Sequence, residues 1–205
     1  MTTSPTTALQ IFGEIRQMAW VVPQGTFQTH IDHWVNSLGV GPWIIVERPP
    51  VINVMHRGKP SELNFSFAIA HMGTIQVEII EQHDDAPTTY SEFITATNGK
   101  GGLHHIAFTL ANLGDLLGTY SRLKAKGIEP FWCINHGPTM SMYYKDPDGN
   151  QVELQVDAFD KAGAASYFDT EPFAQNPIGV LFDADKMCAD YEAGVPDSEL
   201  LRRPD

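Results

Sequence analysis

Cysteine is nearly absent from this chain of 205 residues: only Cys133 and Cys188 occur. Two thiols make neither a disulfide framework nor a thiolate metal site, and they read as buried thiols in a reducing compartment. Positive charge is also scarce. Thirteen Lys and Arg stand against 25 Asp and Glu, giving a net charge of −12 and a pI near 4.9. No basic field exists to hold nucleic acid or an anionic membrane surface. No apolar run approaches the roughly 20 residues of a membrane span. The opening MTTSPTTALQIFGE lacks the charged and apolar blocks of a signal peptide. The expectation is a soluble, cytoplasmic protein whose partner is a small molecule.

Hydrophobic content of 42% and charged content of 19% are ordinary for a globular chain, and this length suits one large domain or two small ones. The segment GNQVELQVD alternates over residues 151–157. Val152, Leu154 and Val156 fall on one face and Gln151, Glu153 and Gln155 on the other, the period of a strand with one apolar side. Glu and Gln are poor strand formers, so Glu153 needs a reason. Solvent on the polar face is the simple one.

Glu153 has a twin in TIQVEII, where Glu78 also follows Gln-Val. An offset of 88 residues then aligns two stretches without a gap. IRQMAWVV (15–22) lies over LHHIAFTL (103–110), placing Gln17 on His105, and LGVGPW lies over AKGIEPF. Between the matched ends, apolar spacings of three and four predict helices over 26–38 and 113–126, each stopped by a glycine (Gly39, Gly127). Strand-like runs follow: WIIVERPPV, ELNFSFAIA and TIQVEII in one half, EPFWCIN, TMSMYYKD and NQVELQV in the other. Each half reads strand, helix, three strands. The fold class is therefore α+β, with two βαβββ modules at 13–96 and 103–158 whose curled mixed sheets form a cleft, and a C-terminal extension at 159–205. Gln17 to Glu78 spans 61 residues and His105 to Glu153 spans 48. The first module therefore carries a longer internal loop, placed at Pro49-Pro50 and the stretch 56–60.

The repeat alone can be structural. Yet both modules set a ligand-capable side chain in the first strand (Gln17, His105) and a glutamate in the last (Glu78, Glu153). Curved sheets can bring all four to one point. Imidazole, amide oxygen and two carboxylates suit a borderline or hard divalent ion. On the residues alone, that ligand set and a polar strand face are both open.

The paired modules, opening with QMAWVV or HHIAFTL and closing with QVE, resemble the vicinal oxygen chelate superfamily, which includes glyoxalase I, methylmalonyl-CoA epimerase, extradiol dioxygenases and antibiotic-resistance proteins. The resemblance covers roughly residues 13–158. It implies one divalent metal held by Gln17, Glu78, His105 and Glu153, a substrate chelated through vicinal oxygens, and a homodimer, with the site within one chain or across two. The order Gln, Glu, His, Glu resembles zinc-type glyoxalase I, and LGVGPW the epimerase-related group. These imply zinc, nickel, cobalt or manganese and proton transfer through an enediolate or enolate, with Glu78 or Glu153 as base. The second half is similar to extradiol dioxygenases, which implies ferrous iron with His136 and Tyr143 assisting. Gln17 departs from their two-histidine, one-carboxylate triad, and this favours the lyase or isomerase reading. A metal-free drug-sequestering protein is the alternative outside enzymes.

Other residues carry plainer expectations. His104 is expected on the strand face opposite His105. Tyr143 shares the side of Glu153 if no bulge intervenes. Trp20, Phe65, Phe67, Phe108 and Trp132 are expected as core or as an apolar pocket wall. KDPDGN reads as a tight turn, and DADKMCADYEAG as a short helix capped by Asp183 and stopped by Gly194.

Overall fold

The computed structural model describes residues 13–204. The first half runs β1 (Ile15–Val22), α1 (Phe27–Leu38), β2 (Ile44–Glu47), a hairpin of β3 (Met55–His56) and β4 (Lys59–Pro60), β5 (Phe65–Met72), β6 (Ile75–Gln82) and α2 (Thr89–Ala96). The second runs β7 (Gly102–Thr109), α3 (Leu113–Lys124), β8 (Trp132–Asn135), β9 (Thr139–Lys145) and β10 (Gln151–Asp157). The extension adds α4 (Lys161–Tyr167), α5 (Glu171–Gln175), β11 (Val180–Leu181), α6 (Ala184–Glu192) and α7 (Asp197–Leu200). Nine strands form one curled mixed sheet in the order β11-β8-β9-β10-β7-β1-β6-β5-β2. Within each half the first strand pairs parallel with the last, β1 with β6 and β7 with β10, and the halves join through antiparallel β1 and β7.

Alternation sorts side chains between two faces. Val152, Leu154 and Val156 turn toward α3, joining a core with Leu116, Leu117, Met140 and Met142. In the first half, Ile79 and Ala68 meet Phe27 and Ile31 of α1, with Trp20 edge-on to Trp34. Ala19, Val21, Phe65, Phe67 and Ile80 turn to the concave face. Solvent is not on that face: Glu153 is 2% and Gln155 5% exposed. The covers are α2, through Tyr90, Phe93 and Ile94, and the extension, through Tyr167, Phe168, Phe173 and Ile178.

Helix α1 ends at left-handed Gly39, φ 68°, whereas α3 stops at Lys124, two residues short of the expected 126, with left-handed Gly127, φ 74°, in the turn beyond it; α6 has its Asp183 cap accepting from the Asp185 and Lys186 amides. The sequence reading missed α2. Thr88 and Ser91 form its capping box, with a serine where glutamate or glutamine is the usual sign. It also placed His104 on the wrong face. β1 carries an extra residue at Arg16 and β7 one at His104, where the register jumps from Ile15↔Phe108 to Gln17↔Ala107 and from Ala19↔His105 to Trp20↔Leu103. The bulge turns His104 to the concave side beside His105. Tyr143 pairs directly with Glu153 and shares its side.

One buried carboxylate serves the frame. Glu81, 3% exposed, reaches from β6 to accept the Thr26 and Phe27 amides that open α1, at 2.9 and 2.7 Å, and pairs with His83 at 2.9 Å. Charged capping of orphan helix amides replaces the missing side-chain cap of Thr26. Glu81→Ala is therefore expected to destabilise the chain by about 3 kcal/mol, since two buried donors lose their acceptor. The urea midpoint checks this, with little change in denaturant slope if the fold persists.

Candidate functional site

The two modules place their unusual residues at equivalent points of the ladder. Glu78 pairs with Ala19, two residues beyond Gln17, and Glu153 pairs with Ala107, two residues beyond His105. Both alanines are fully buried. A methyl group leaves room on the concave face for the neighbouring donor and carboxylate to lean toward the seam. Gln17, Glu78, His105, Glu153, His136 and Tyr143 all line one cavity of about 170 Å³, so the six meet within one chain.

At its centre His105 Nε2 lies 3.2 Å from Gln17 Oε1 and 3.3 Å from Glu153 Oε2. Glu153 Oε2 is buried and makes no hydrogen bond of good geometry, lying against the edge of the His105 imidazole. Burial pushes the Glu153 carboxyl up, but His105, with His136 further off, outweighs it and holds the group below the usual carboxylate range. Glu78 behaves oppositely. Removal from bulk water pushes it up to about 7, with nearby Glu153 adding and His105 opposing. Two carboxylates on one cavity are thus driven apart, one ionised and one holding a proton near neutrality.

Behind His105 runs a polar chain that sequence reasoning missed. His104 Nδ1 meets His105 Nδ1 at 2.9 Å, while His104 Nε2 lies 2.9 Å from the Gln151 amide nitrogen and 3.3 Å from Thr89 Oγ1. His104 sits between Tyr90 and Phe93, and burial holds its pKa well below the ordinary value. With the Gln151 amide donating to Nε2, the His104 Nδ1–H donates to His105, whose own proton then faces Gln17 and Glu153.

On the second-module wall, His136 Nδ1 donates to the Ile178 carbonyl, leaving Nε2 to accept from the Tyr143 hydroxyl at 3.2 Å. Burial lowers the His136 pKa, so the ring is a neutral base. Burial also raises the Tyr143 phenol, with Glu153 adding, and keeps it protonated. Phe65, Phe67, Trp132, Phe168 and Phe173 supply the apolar wall. Trp20 and Phe108 belong to the helix-side cores instead. No sequence signal marked Phe168, Phe173 or Ile178 as cavity residues.

The donors fit a divalent ion. Ligands about 2.1 Å from one ion stand roughly 3.0–3.4 Å apart, which is how far His105 Nε2 stands from Gln17 Oε1 and from Glu153 Oε2, and that carboxylate oxygen is buried without a hydrogen-bond partner. Among the described residues no three His, Cys, Asp or Glu group to hold a metal, so the central trio includes the amide of Gln17. Glu78 faces the same space. An ion at Nε2 needs the His105 proton on Nδ1, donated back to His104, and the 2.9 Å contact permits that reversal.

Two βαβββ modules edge to edge around a polar-centred cavity define a class of proteins. The chain belongs to the glyoxalase/bleomycin resistance protein/dioxygenase superfamily, whose family model matches residues 16–144. It is 48% identical over 99 residues to biphenyl-2,3-diol 1,2-dioxygenase 2 of Rhodococcus globerulus, covering 48% of this chain and 52% of that protein. It is 47% identical over 103 residues to biphenyl-2,3-diol 1,2-dioxygenase 3 of the same organism, covering 50% and 54%. The chain spans about half the length of the curated relatives it matches. Methylmalonyl-CoA epimerase of Mycobacterium tuberculosis shares the fold at 15% identity and a TM-score of 0.53, over 78% of this chain and 97% of that one. A variant of the Streptomyces coelicolor epimerase, in complex with 2-nitronate-propionyl-CoA, does so at 16% and 0.50, over 72% and 96%.

The Glu78 shift has a stability consequence. A carboxyl whose folded pKa is about 7 binds its proton more tightly folded than unfolded, where a glutamate titrates near 4.3. Its contribution favours the folded state in acid and is lost as pH rises from about 4 through 7. In metal-free protein the loss is roughly 2–3 kcal/mol, discounted for the cavity's access to water. Glu78→Gln should flatten that slope, read from urea midpoints at pH 5 and pH 8. Equal slopes in both proteins would contradict the assignment.

Proposed function

We propose that this protein is a divalent-metal-dependent proton-transfer enzyme of the lyase or isomerase type, acting on a small substrate that presents two neighbouring oxygens. The observation carrying this reading is the pair of carboxylates on one cavity wall with His105, buried Glu153 held ionised and half-buried Glu78 poised near neutrality, a division of labour suited to acid–base chemistry at physiological pH. Gln17, His105 and Glu153 would hold the ion, with Glu78 beside them. The ion, when bound, supplies Lewis acidity and a template for the two substrate oxygens.

The residues of the chain do the rest. Deprotonated Glu78 takes a proton from the substrate carbon next to the carbonyl; the C–H bond breaks, its electron pair stays on the substrate, and the proton moves to a glutamate oxygen. Protonated Glu78 then returns it, to the same carbon or to its neighbour. The aromatic walls exclude bulk water, which strengthens the field at the reacting carbon. His136, neutral and bonded to Tyr143, can receive or supply a second proton at a substrate hydroxyl.

A second reading has its own support. The identity to the two Rhodococcus dioxygenases is high where it exists, and neutral His136 bonded to Tyr143 on the cavity wall is an acid–base pair of the kind a catechol-type ring would need. In that reading the same donors hold ferrous iron and the substrate ring is cleaved by oxygen.

One comparison separates them. Protein supplied in turn with zinc, nickel, cobalt, manganese or anaerobic ferrous iron is incubated with 2-hydroxyacetophenone in D₂O, and deuterium at carbon is followed by NMR. Parallel samples with biphenyl-2,3-diol are followed by oxygen uptake. Metal-dependent deuterium exchange that falls at least about a hundredfold in Glu78→Gln, while bound metal persists by elemental analysis, supports proton transfer. Ferrous-dependent oxygen uptake without exchange overturns it in favour of the dioxygenase. Neither activity with any metal leaves the sequestering protein.

A further inference from the structure

The longer loop that distinguishes the first module has a location. Its β3–β4 hairpin, with Met55, His56 and Arg57, helps to wall a second chamber of about 450 Å³ beside the central cavity. The two chambers share Thr89, Tyr90, Trp132, Gln151 and Ile178 as walls. The hairpin is pinned in place. Arg57 grips Glu92 of α2 through two hydrogen bonds at 2.8 and 2.9 Å, and His56 adds a third at 2.9 Å.

Charge inside this outer chamber is unbalanced. Glu92 answers Arg57, which leaves Lys145 as a cation with no ion-pair partner among the described residues, resting 5.8 Å from the centre of the Phe131 ring. The remaining wall is largely apolar, with Val54, Leu63, Phe93 and Phe131. A lone exposed lysine is ordinarily just a solvated side chain. Here it lines a chamber that shares five wall residues with the candidate site, in a protein whose net charge is −12.

The sheet register fixes its distance from the chemistry. Gln151 pairs with His105 on one side and Lys145 on the other. Lys145 therefore lies two strand spacings, about 10 Å, from His105 along one row of the concave face. The inner cavity, at about 170 Å³, matches a single ring in size, since a cavity of roughly 150 Å³ holds benzene. A ligand with its oxygens at His105 and a ring or short chain in the inner cavity would bring its far end to Lys145.

We propose that the outer chamber is a subsite for the distal part of the substrate, and that the substrate is a vicinal-oxygen compound with an apolar body ending in an anionic group such as a carboxylate, held by Lys145. This rests on the vicinal-oxygen reading of the inner site and names the class of molecule it takes. The hairpin, absent from the second module, is the device that adds the subsite.

Three probes test it on metal-loaded protein by calorimetry: catechol, 3-(3,4-dihydroxyphenyl)propanoate and the methyl ester of that acid. The ester removes the negative charge and adds one methyl group. The acid is expected to bind wild type roughly three- to fivefold more tightly than the ester, the upper range of a single exposed ion pair. Lys145→Met should bring acid and ester within twofold while leaving the ester Kd unchanged, and Lys145→Glu should reverse their order. Equal binding of acid and ester by wild type, or a difference that survives Lys145→Met, overturns the proposal. Catechol isolates the inner site: if catechol binds and the charge difference is missing, only the subsite is wrong. If none of the three binds, the vicinal-oxygen reading falls and this inference falls with it.

Discussion

A carboxylate taken out of water must meet a positive partner or keep a proton, and the concave face of this sheet takes in two. Glu153 is answered by His105. Glu78 faces the same pair from the other module and is left to hold its proton near neutrality. Everything around them follows from keeping that arrangement dry: alanines beside the donors, phenylalanines on the first-module wall, Tyr143 and Trp132 on the second. Glu81, three residues from Glu78, shows the contrasting use of the same side chain. It turns to the opposite face, caps α1 and belongs wholly to the frame.

The sheet does not close the cavity by itself. Curvature brings four strands' worth of polar residues together, but the covers come from α2, which follows the last strand of the first module and has no counterpart in the second, and from the extension. His136 is aimed by such an outsider, since the Ile178 carbonyl fixes which ring nitrogen is free. The acid–base properties of the second-module wall thus depend on a segment some 40 residues further along the chain.

Much of this was legible in the sequence because it is local. Alternation in NQVELQV, the three- and four-residue spacings after Thr26 and Leu113, and the glycines at 39 and 127 each fix a strand, a helix or a stop from neighbouring residues. The 88-residue echo then sets the two halves in parallel, and with them Gln17, His105, Glu78 and Glu153. What escaped is what neighbours do not determine. The segment TYSEFITA shows no clear helical stripe and its box uses serine, so α2 was invisible. His104 was assigned to the far face because strict alternation demands it, and only the cross-strand register contains the bulge that overrides it. Phe168 and Phe173 look like any aromatic residues in a loop until the chain folds back over the sheet.

The twin bulges at Arg16 and His104 are themselves 88 residues apart. Under that shift the pair Gln17↔Ala107 maps onto His105↔Ala19, so each strand of the seam meets its partner as the partner meets it. That is the geometry of an isologous contact, the kind two identical subunits make across a twofold axis, here made within one chain. Strict twofold symmetry would present the same first-strand donor twice; glutamine on one side and histidine on the other give the centre a handedness that the backbone lacks.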